Sequence, residues 1–302
     1  MDTKKPSHAD ELAKMRLPVT FGTDTSGMEA AAFDLAERRN NPLLIAGTAS
    51  ADSKFKCLKG LLSSLTANRS ADEAMVYAFG DDAERLRQLP PLPLMRPVCP
   101  PLVRRRAEEQ GRRLPRIENP CADGELACRM VGTMLRLEIE LRLRLFAATG
   151  TRDLERYNAK TTDRPLPYIV IAVDGVDESV DFPKSAFFGD MERLLALGDA
   201  AGFRFVFVSR DAGGADSTAA LVAALKLCPC AVLDLPPDTA SAARTAPKIT
   251  YFNVQDKEKG TTKNGQREEA GEHGNTDGGA EDAPPPIQTR HGDAGKVHGC
   301  AS

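Results

Sequence analysis

The chain has 302 residues, 41% of them hydrophobic and 27% charged, which is the range of a globular protein with one large α/β domain or two small ones. A formal net charge of -3 excludes a uniformly basic nucleic-acid coat, and 5% aromatic residues with no Trp argue against an aromatic-built core or a base-stacking platform. No apolar run reaches the roughly 18 residues that cross a bilayer, so no membrane segment is expected.

From the N-terminus, residues 1–16 are polar, without a signal-peptide apolar stretch, and read as a flexible lead-in to a cytoplasmic protein. Apolar runs at 42–47 (PLLIAG), 74–79 (AMVYAF), 168–173 (YIVIAV), 203–208 (FRFVFV) and 230–235 (CAVLDL) predict strands, with 249–254 (ITYFNV) as a sixth. Most are near-continuously apolar, as strands covered on both faces must be. Helices are expected at 52–66, 122–149, 152–160, 188–201 and 216–226. The alternation predicts an α/β fold with a mainly parallel central sheet and helices on both faces.

Leu135 to Leu145 alternates apolar and polar residues, a strand pattern, yet Glu138/Arg142 and Glu140/Arg144 are i,i+4 pairs in the favourable order. Two leucine-rich stripes on a helix wedged between layers account for both features, and a helix is expected. Before it, residues 102–121 form a basic insert with Arg104, Arg105, Arg106, Arg112, Arg113 and Arg116. Six prolines between Pro90 and Pro101 predict that it leaves the body as an extended loop. Such arginines suit DNA phosphates, as they do a solvated loop or a partner's acids. Residues 256–302, with six Lys/Arg against nine Asp/Glu and few aliphatics, are expected to be a disordered polar tail. The seven Cys read as reduced thiols; Cys228-Pro-Cys230 has neither a second pair nor a nearby His, and no structural metal is expected.

The strand at 42–46 runs into Gly47-Thr48-Ala49-Ser50-Ala51-Asp52-Ser53-Lys54 and then a helical stretch. Buried strand, glycine-led turn and helix N-terminus are the setting of a phosphate-binding loop. A working loop, G-x-x-x-x-G-K-[ST], needs a second Gly for backbone closure, a Lys for the β/γ-phosphates and a hydroxyl for Mg²⁺. Counted from Gly47, those places hold Asp52, Ser53 and Lys54. Two unit charges at about 4 Å repel by roughly 4 kcal/mol at a surface-like dielectric, so Asp52 opposes phosphate. Lys54 falls one residue late, about 100° around the helix.

Leu17-Pro-Val-Thr-Phe-Gly22, Asp34-Leu-Ala36 and Leu43-Leu-Ile-Ala-Gly-Thr48 resemble the entry to the FtsK/SpoIIIE DNA-translocase motor domain. So, in order, do Gly150-Thr-Arg-Asp153, Tyr157-Asn-Ala-Lys160, Leu166-Pro-Tyr-Ile-Val170 with Asp174, and Ala201-Gly202, over roughly 17–235. The resemblance implies a RecA-like P-loop fold over 17–255, an ATP/Mg²⁺ site, and a ring of RecA-type subunits pumping double-stranded DNA, with chromosome partition as a setting. Asp174 would take the Walker B aspartate position and hold Mg²⁺. The Glu expected next is Gly175, and the family's Thr-Gln-Arg is Ser209-Arg210-Asp211.

Fold-bearing residues thus persist while hydrolytic ones are replaced, the pattern of a pseudo-ATPase. Its residual nucleotide-binding residues would be Gly47 to Lys54. The alternatives are a non-catalytic interaction subunit of a RecA-type assembly, and a divergent active ATPase using Lys54 with Asp177 or Glu178.

Overall fold

The computed structural model describes residues 12–21, 31–80, 82–89, 99–113, 125–176, 191–224, 227, 229–238 and 247–252. The expected tail, Asp177, Glu178 and Arg116 lie outside these residues.

Six strands make one sheet: β3 (Leu43–Gly47), β4 (Ala74–Gly80), β5 (Tyr168–Asp174), β6 (Phe203–Val208), β7 (Cys230–Leu235) and β8 (Lys248–Phe252), in the order β4-β5-β6-β3-β7-β8. The first five in that order run parallel, and β8 closes the edge antiparallel to β7. A separate antiparallel pair, β1 (Pro18–Phe21) and β2 (Ala31–Asp34), has Pro18 opposite Asp34 and Phe21 opposite Ala31.

The sheet is covered on both faces because its parallel strands are apolar at nearly every position. On β3, Leu43 and Ile45 join one core cluster with Val170, Ala172, Val206 and Leu233, while Leu44 and Ala46 join another with Ile169, Ile171, Phe205 and Phe207. The first face receives α1 (Ala51–Asn68), which buries Phe55, Leu58, Leu61, Leu62 and Leu65. The β1–β2 pair rides on that helix, with Thr20 N–H donating to Ser64 Oγ at 2.9 Å.

The remaining helices are α2 (Ala83–Arg87), α3 (Pro101–Glu109), α4 (Glu125–Ala148), α5 (Leu154–Lys160), α6 (Met191–Ala200) and α7 (Ala215–Ala224). The alternating segment 135–145 lies wholly inside α4, a helix of about 36 Å at 1.5 Å per residue. Val131, Leu135 and Ile139 enter the second cluster, and Leu141, Leu143 and Leu145 pack against the first. The helix touches both layers, and that is why its apolar residues recur at every second position.

The basic segment departs from expectation. Residues 101–109 are helix α3, not an extended loop, and the helix packs on α4 with Leu102, Val103 and Ala107 buried. Pro101 stands at its first turn, where a missing N–H costs nothing. The anchor is Glu138. One carboxylate oxygen accepts from the N–H groups of Leu102 (2.9 Å) and Val103 (3.0 Å), while the other accepts from Arg142 Nε at 2.9 Å. Arg142 in turn donates to the carbonyls of Pro167 (2.8 Å) and Ala201 (3.0 Å), at the starts of β5 and β6. Glu138 and Arg142, which as an i,i+4 pair suggest a solvated helix face, are both fully buried. Glu140 and Arg144, equally spaced, are exposed.

Candidate functional site

The C-terminal ends of β3, β5 and β6 converge at the point where strand order reverses: the chain leaves β3 for the far edge at β4 and returns through β5 and β6 to pass β3 again at β7. Open α/β sheets bind ligands in the crevice at such a point, and the phosphate-loop candidate and Asp174 both lie there.

Gly47 ends β3 with φ +101°, and a Cβ there would stand 2.2 Å from Asp234 Oδ1 and 2.4 Å from Leu235 O. Only glycine allows the loop to turn this close to β7. Several of the loop's N–H groups, the cradle of a phosphate in a working site, have protein partners. Ala49 N–H donates to Leu235 O at 3.2 Å, and Ser50 N–H donates to Asp238 Oδ2 at 3.1 Å. Ser53 N–H donates to Ser50 Oγ at 3.2 Å, which makes Ser50 the N-cap of α1. The Asp238 carboxylate, past the end of β7, thus sits as an anion at the first turn of α1. Hydrogen bonds from the side chains of Ser50 and Ser53 and from the Ser50 N–H hold its pKa below the usual carboxylate range.

Thr48 and Asp52 are exposed, Ala49 is buried, and Ala51 and Ser53 are partly buried. Lys54 is fully buried, and its Nζ donates to Asp211 O at 2.5 Å. It faces the segment after β6 rather than the loop mouth.

Asp174 closes β5 and is almost fully buried. Its Oδ2 lies 2.8 Å from Arg85 Nε and 3.2 Å from Arg210 Nη2, while Oδ1 is buried without a hydrogen-bond partner. Burial raises the pKa of this carboxyl, and the two guanidinium groups pull it down in part. Arg85 also reaches exposed Asp52 (2.9 Å) and donates to Ala51 O, with its guanidinium 4.5 Å from the Phe55 ring centre. One arginine therefore links the loop residue that opposes phosphate to the carboxylate at the metal position.

Gly175 has φ +89°, and a Cβ there would meet the Arg210 guanidinium carbon at 2.8 Å. Arg210 therefore occupies the space into which the side chain of the family's Glu would begin to grow. Glycine at 175 and arginine at 210 are a matched pair.

A divalent cation at Asp174 would approach a carboxylate oxygen already bordered by two positive charges, and no cluster of three or more potential metal-ligating acids, His or Cys exists among the described residues. The arrangement does not fit Mg²⁺ in this state. Chemically it is a balanced ion network: Arg85 and Arg210 face Asp52 and Asp174, and Asp238 caps the helix.

Arg85 and Asp238 were not among the residues singled out by sequence. Arg210 had a visible signal, as it sits in Ser209-Arg210-Asp211 where the family has Thr-Gln-Arg. Arg85 and Asp238 had none, because each follows a strand in a segment without motif. Arg104, Arg105, Arg106, Arg112 and Arg113 are all exposed, at or just beyond α3, away from the crevice. Cys57, Cys99 and Cys230 form no disulfide, and burial pushes Cys57 up to about 12 and Cys99 up to about 11. No described helix is long and apolar enough to cross a membrane.

No family model matches the chain. Among curated proteins it is 26% identical over 201 residues to the DNA translocase FtsK of Borreliella burgdorferi, covering 65% of this chain and 22% of that protein. It is 24% identical over 220 residues to the DNA translocase FtsK of Bacillus cereus, covering 70% and 24%. The chain thus spans less than a quarter of the length of these relatives. Similar solved structures include EssC (ATPases 2 and 3) from Geobacillus thermodenitrificans, at TM-score 0.48 and 17% identity over 78% of this chain and 42% of that one. They also include the pCW3 conjugation coupling protein TcpA with ATPγS, at TM-score 0.47 and 16% identity over 80% and 61%. The ordered motif matches, the FtsK likeness over 65–70% of the chain and the mainly parallel sheet with its phosphate-loop position all support an FtsK/SpoIIIE-type motor domain.

Proposed function

We propose that this chain is a DNA-associated homologue of the FtsK motor domain whose ATP binding and hydrolysis are weakened or lost. The observation that carries this reading is the Asp174 carboxylate held between Arg85 and Arg210. Positive charge from the protein stands where the metal would bring its own, and the N–H groups of Ala49 and Ser50 are spent on Leu235 and Asp238. The divergent-ATPase reading would need Lys54 at the phosphates, and its buried amine on Asp211 O speaks against that.

DNA association rests on the curated relatives' printed function and on the exposed arginines of α3. The anchored helix holds Arg104, Arg105 and Arg106 on a fixed scaffold, which suits sequence-independent contact with phosphates. Self-association through RecA-type faces, or assembly with an active motor, is the companion expectation. Residues 17–255 would form the motor-like body, with 1–16 and 256–302 as appendages.

The test is a titration of the full chain with a fluorescent ATP analogue and Mg²⁺, with and without double-stranded DNA. Expected are no saturable nucleotide binding and salt-sensitive DNA binding that falls when Arg104, Arg105 and Arg106 are changed to Ala. Micromolar nucleotide binding that Lys54→Ala abolishes would overturn the pseudo-ATPase reading. Absence of both nucleotide and DNA binding would favour the interaction subunit.

A further inference from the structure

At the end of the sheet opposite the phosphate loop, the starts of β5 and β6 border a cavity of about 510 Å³. Five cationic side chains line it: Lys14, Arg16, Arg38, Arg39 and Arg204. Five acids line it as well, so net charge does not define the ligand. Hydrogen-bond capacity does.

The acids are engaged from within the protein. Asp34 accepts the N–H groups of Arg16 (3.0 Å), Leu17 (2.9 Å) and Ala36 (2.9 Å). Asp199 takes Arg38 Nε at 2.9 Å, Arg204 Nη1 at 3.1 Å and Asn41 Nδ2 at 3.2 Å. Glu155 pairs with Arg16 and accepts from the Tyr168 hydroxyl at 3.2 Å. Glu37 accepts from Arg39 Nε at 2.6 Å, and Asp153 caps α5 and pairs with Arg156.

Donors are left over. Arg38 and Arg39 each engage their acid through Nε, with side chains 72% and 69% exposed. Lys14 makes no hydrogen bond or ion pair with the described residues. Arg204 is 3% exposed, and its Nε is buried without a hydrogen-bond partner. Its Nη groups are fixed by Asp199, Phe203 O and Ala36 O, and the guanidinium lies 5.2 Å from the Tyr168 ring centre. The Nε is closed to the cavity, so Arg204 gives the wall the charge of its guanidinium rather than a spare donor.

We propose that this cavity binds a small multivalent oxyanion of the phosphate class, gripped by Lys14, Arg38 and Arg39 at the mouth against the Arg204 wall. The ligand supplies acceptors, because the lining acids are engaged by the protein while Arg38 and Arg39 keep exposed N–H donors. Several oxygens are needed because the cationic groups approach from β2's end, the segment before β1 and β6. The site is independent of the phosphate loop, from which the length of the parallel strands separates it.

Calorimetric titration of the full chain with inorganic pyrophosphate at low salt tests the proposal, with citrate as a carboxylate arm. Saturable pyrophosphate binding is expected. It should weaken at least about tenfold in Lys14→Ala/Arg38→Gln and persist in Arg104→Ala/Arg105→Ala/Arg106→Ala. Lys14 and Arg38 are exposed, so that double variant should keep the wild-type circular dichroism and melting temperature. No saturation at about 10 mM pyrophosphate overturns the site. So does binding that survives the cavity variant and disappears in the α3 variant. Citrate binding as tightly as pyrophosphate, with the same variant pattern, overturns the phosphate assignment.

Discussion

Asp174 and Glu138 are both carboxylates with fully buried side chains, and both lean on arginine. Glu138 is saturated: one oxygen holds Arg142 Nε and the other holds two backbone N–H groups. Asp174 is not. Both arginines crowd Oδ2, and Oδ1 is left buried without a hydrogen-bond partner. A fully satisfied buried ion is a structural part, whereas an under-satisfied one marks a position shaped by another task. The difference separates a satisfied structural joint from the under-satisfied site on which the pseudo-ATPase proposal rests.

The comparison is broken most forcefully at the joint. Glu138→Ala leaves Arg142 buried with its charge unpaired and removes the cap from α3, so a loss of about 3–5 kcal/mol in unfolding free energy is expected by denaturant titration. Removing both charges with Glu138→Leu/Arg142→Met should recover much of that loss, because the desolvation cost disappears with the pair. If the single change cost no more than a surface pair, of order 0–1 kcal/mol, the buried relay would be the wrong description.

At the nucleotide-type site a smaller effect is expected. Gly175→Ala forces a side chain onto φ +89° and into the Arg210 guanidinium, which should cost about 1–3 kcal/mol. The steric part belongs to Arg210 and the backbone part does not. In an Arg210→Ala background the same substitution should therefore cost less, though not nothing, in a double-mutant cycle. Equal costs in both backgrounds would mean that the arginine swings clear and that residues 175 and 210 are not matched.

Much of the architecture was legible in the sequence because the buried parallel strands are apolar at nearly every position. All six expected strands appear within a residue or two of their predicted bounds, and Leu135–Leu145 is helical because two stripes face two layers. The strand, Gly47 turn and helix at 42–68 were legible from pattern, whereas Asp174 was marked only by the resemblance to the FtsK/SpoIIIE family, and both lie at C-terminal ends of parallel strands. Other features were not. The i,i+4 spacing of Glu138 and Arg142 is the same as that of Glu140 and Arg144, and only tertiary packing decides which pair is dry. The prolines before α3 concealed a helix that depends on Glu138, a partner 36 residues away. Arg85 and Asp238 complete the nucleotide-type site through long-range contacts that leave no local pattern.

The finest probe of the comparison is the acid titration of the two aspartates at the site, which shift in opposite directions. Asp238 is fully exposed, and its shift comes from hydrogen bonds of Ser50 and Ser53 to the ionised form. A folded pKa below the unfolded one means that the contact contributes stability above the ordinary carboxylate range and loses it as pH falls through the lowered value. Asp174 has the reverse sign. Burial raises its folded pKa, so its ionisation weakens the fold as pH rises through the raised value. Carboxyl carbon NMR shifts followed against pH should resolve the two curves on either side of the ordinary range. Ser50→Ala removes the largest contribution to the Asp238 shift and should move that curve upward while leaving Asp174 in place. An Asp238 curve unmoved by Ser50→Ala would detach the carboxylate from the phosphate loop, and with it the argument that the loop's donors are already taken.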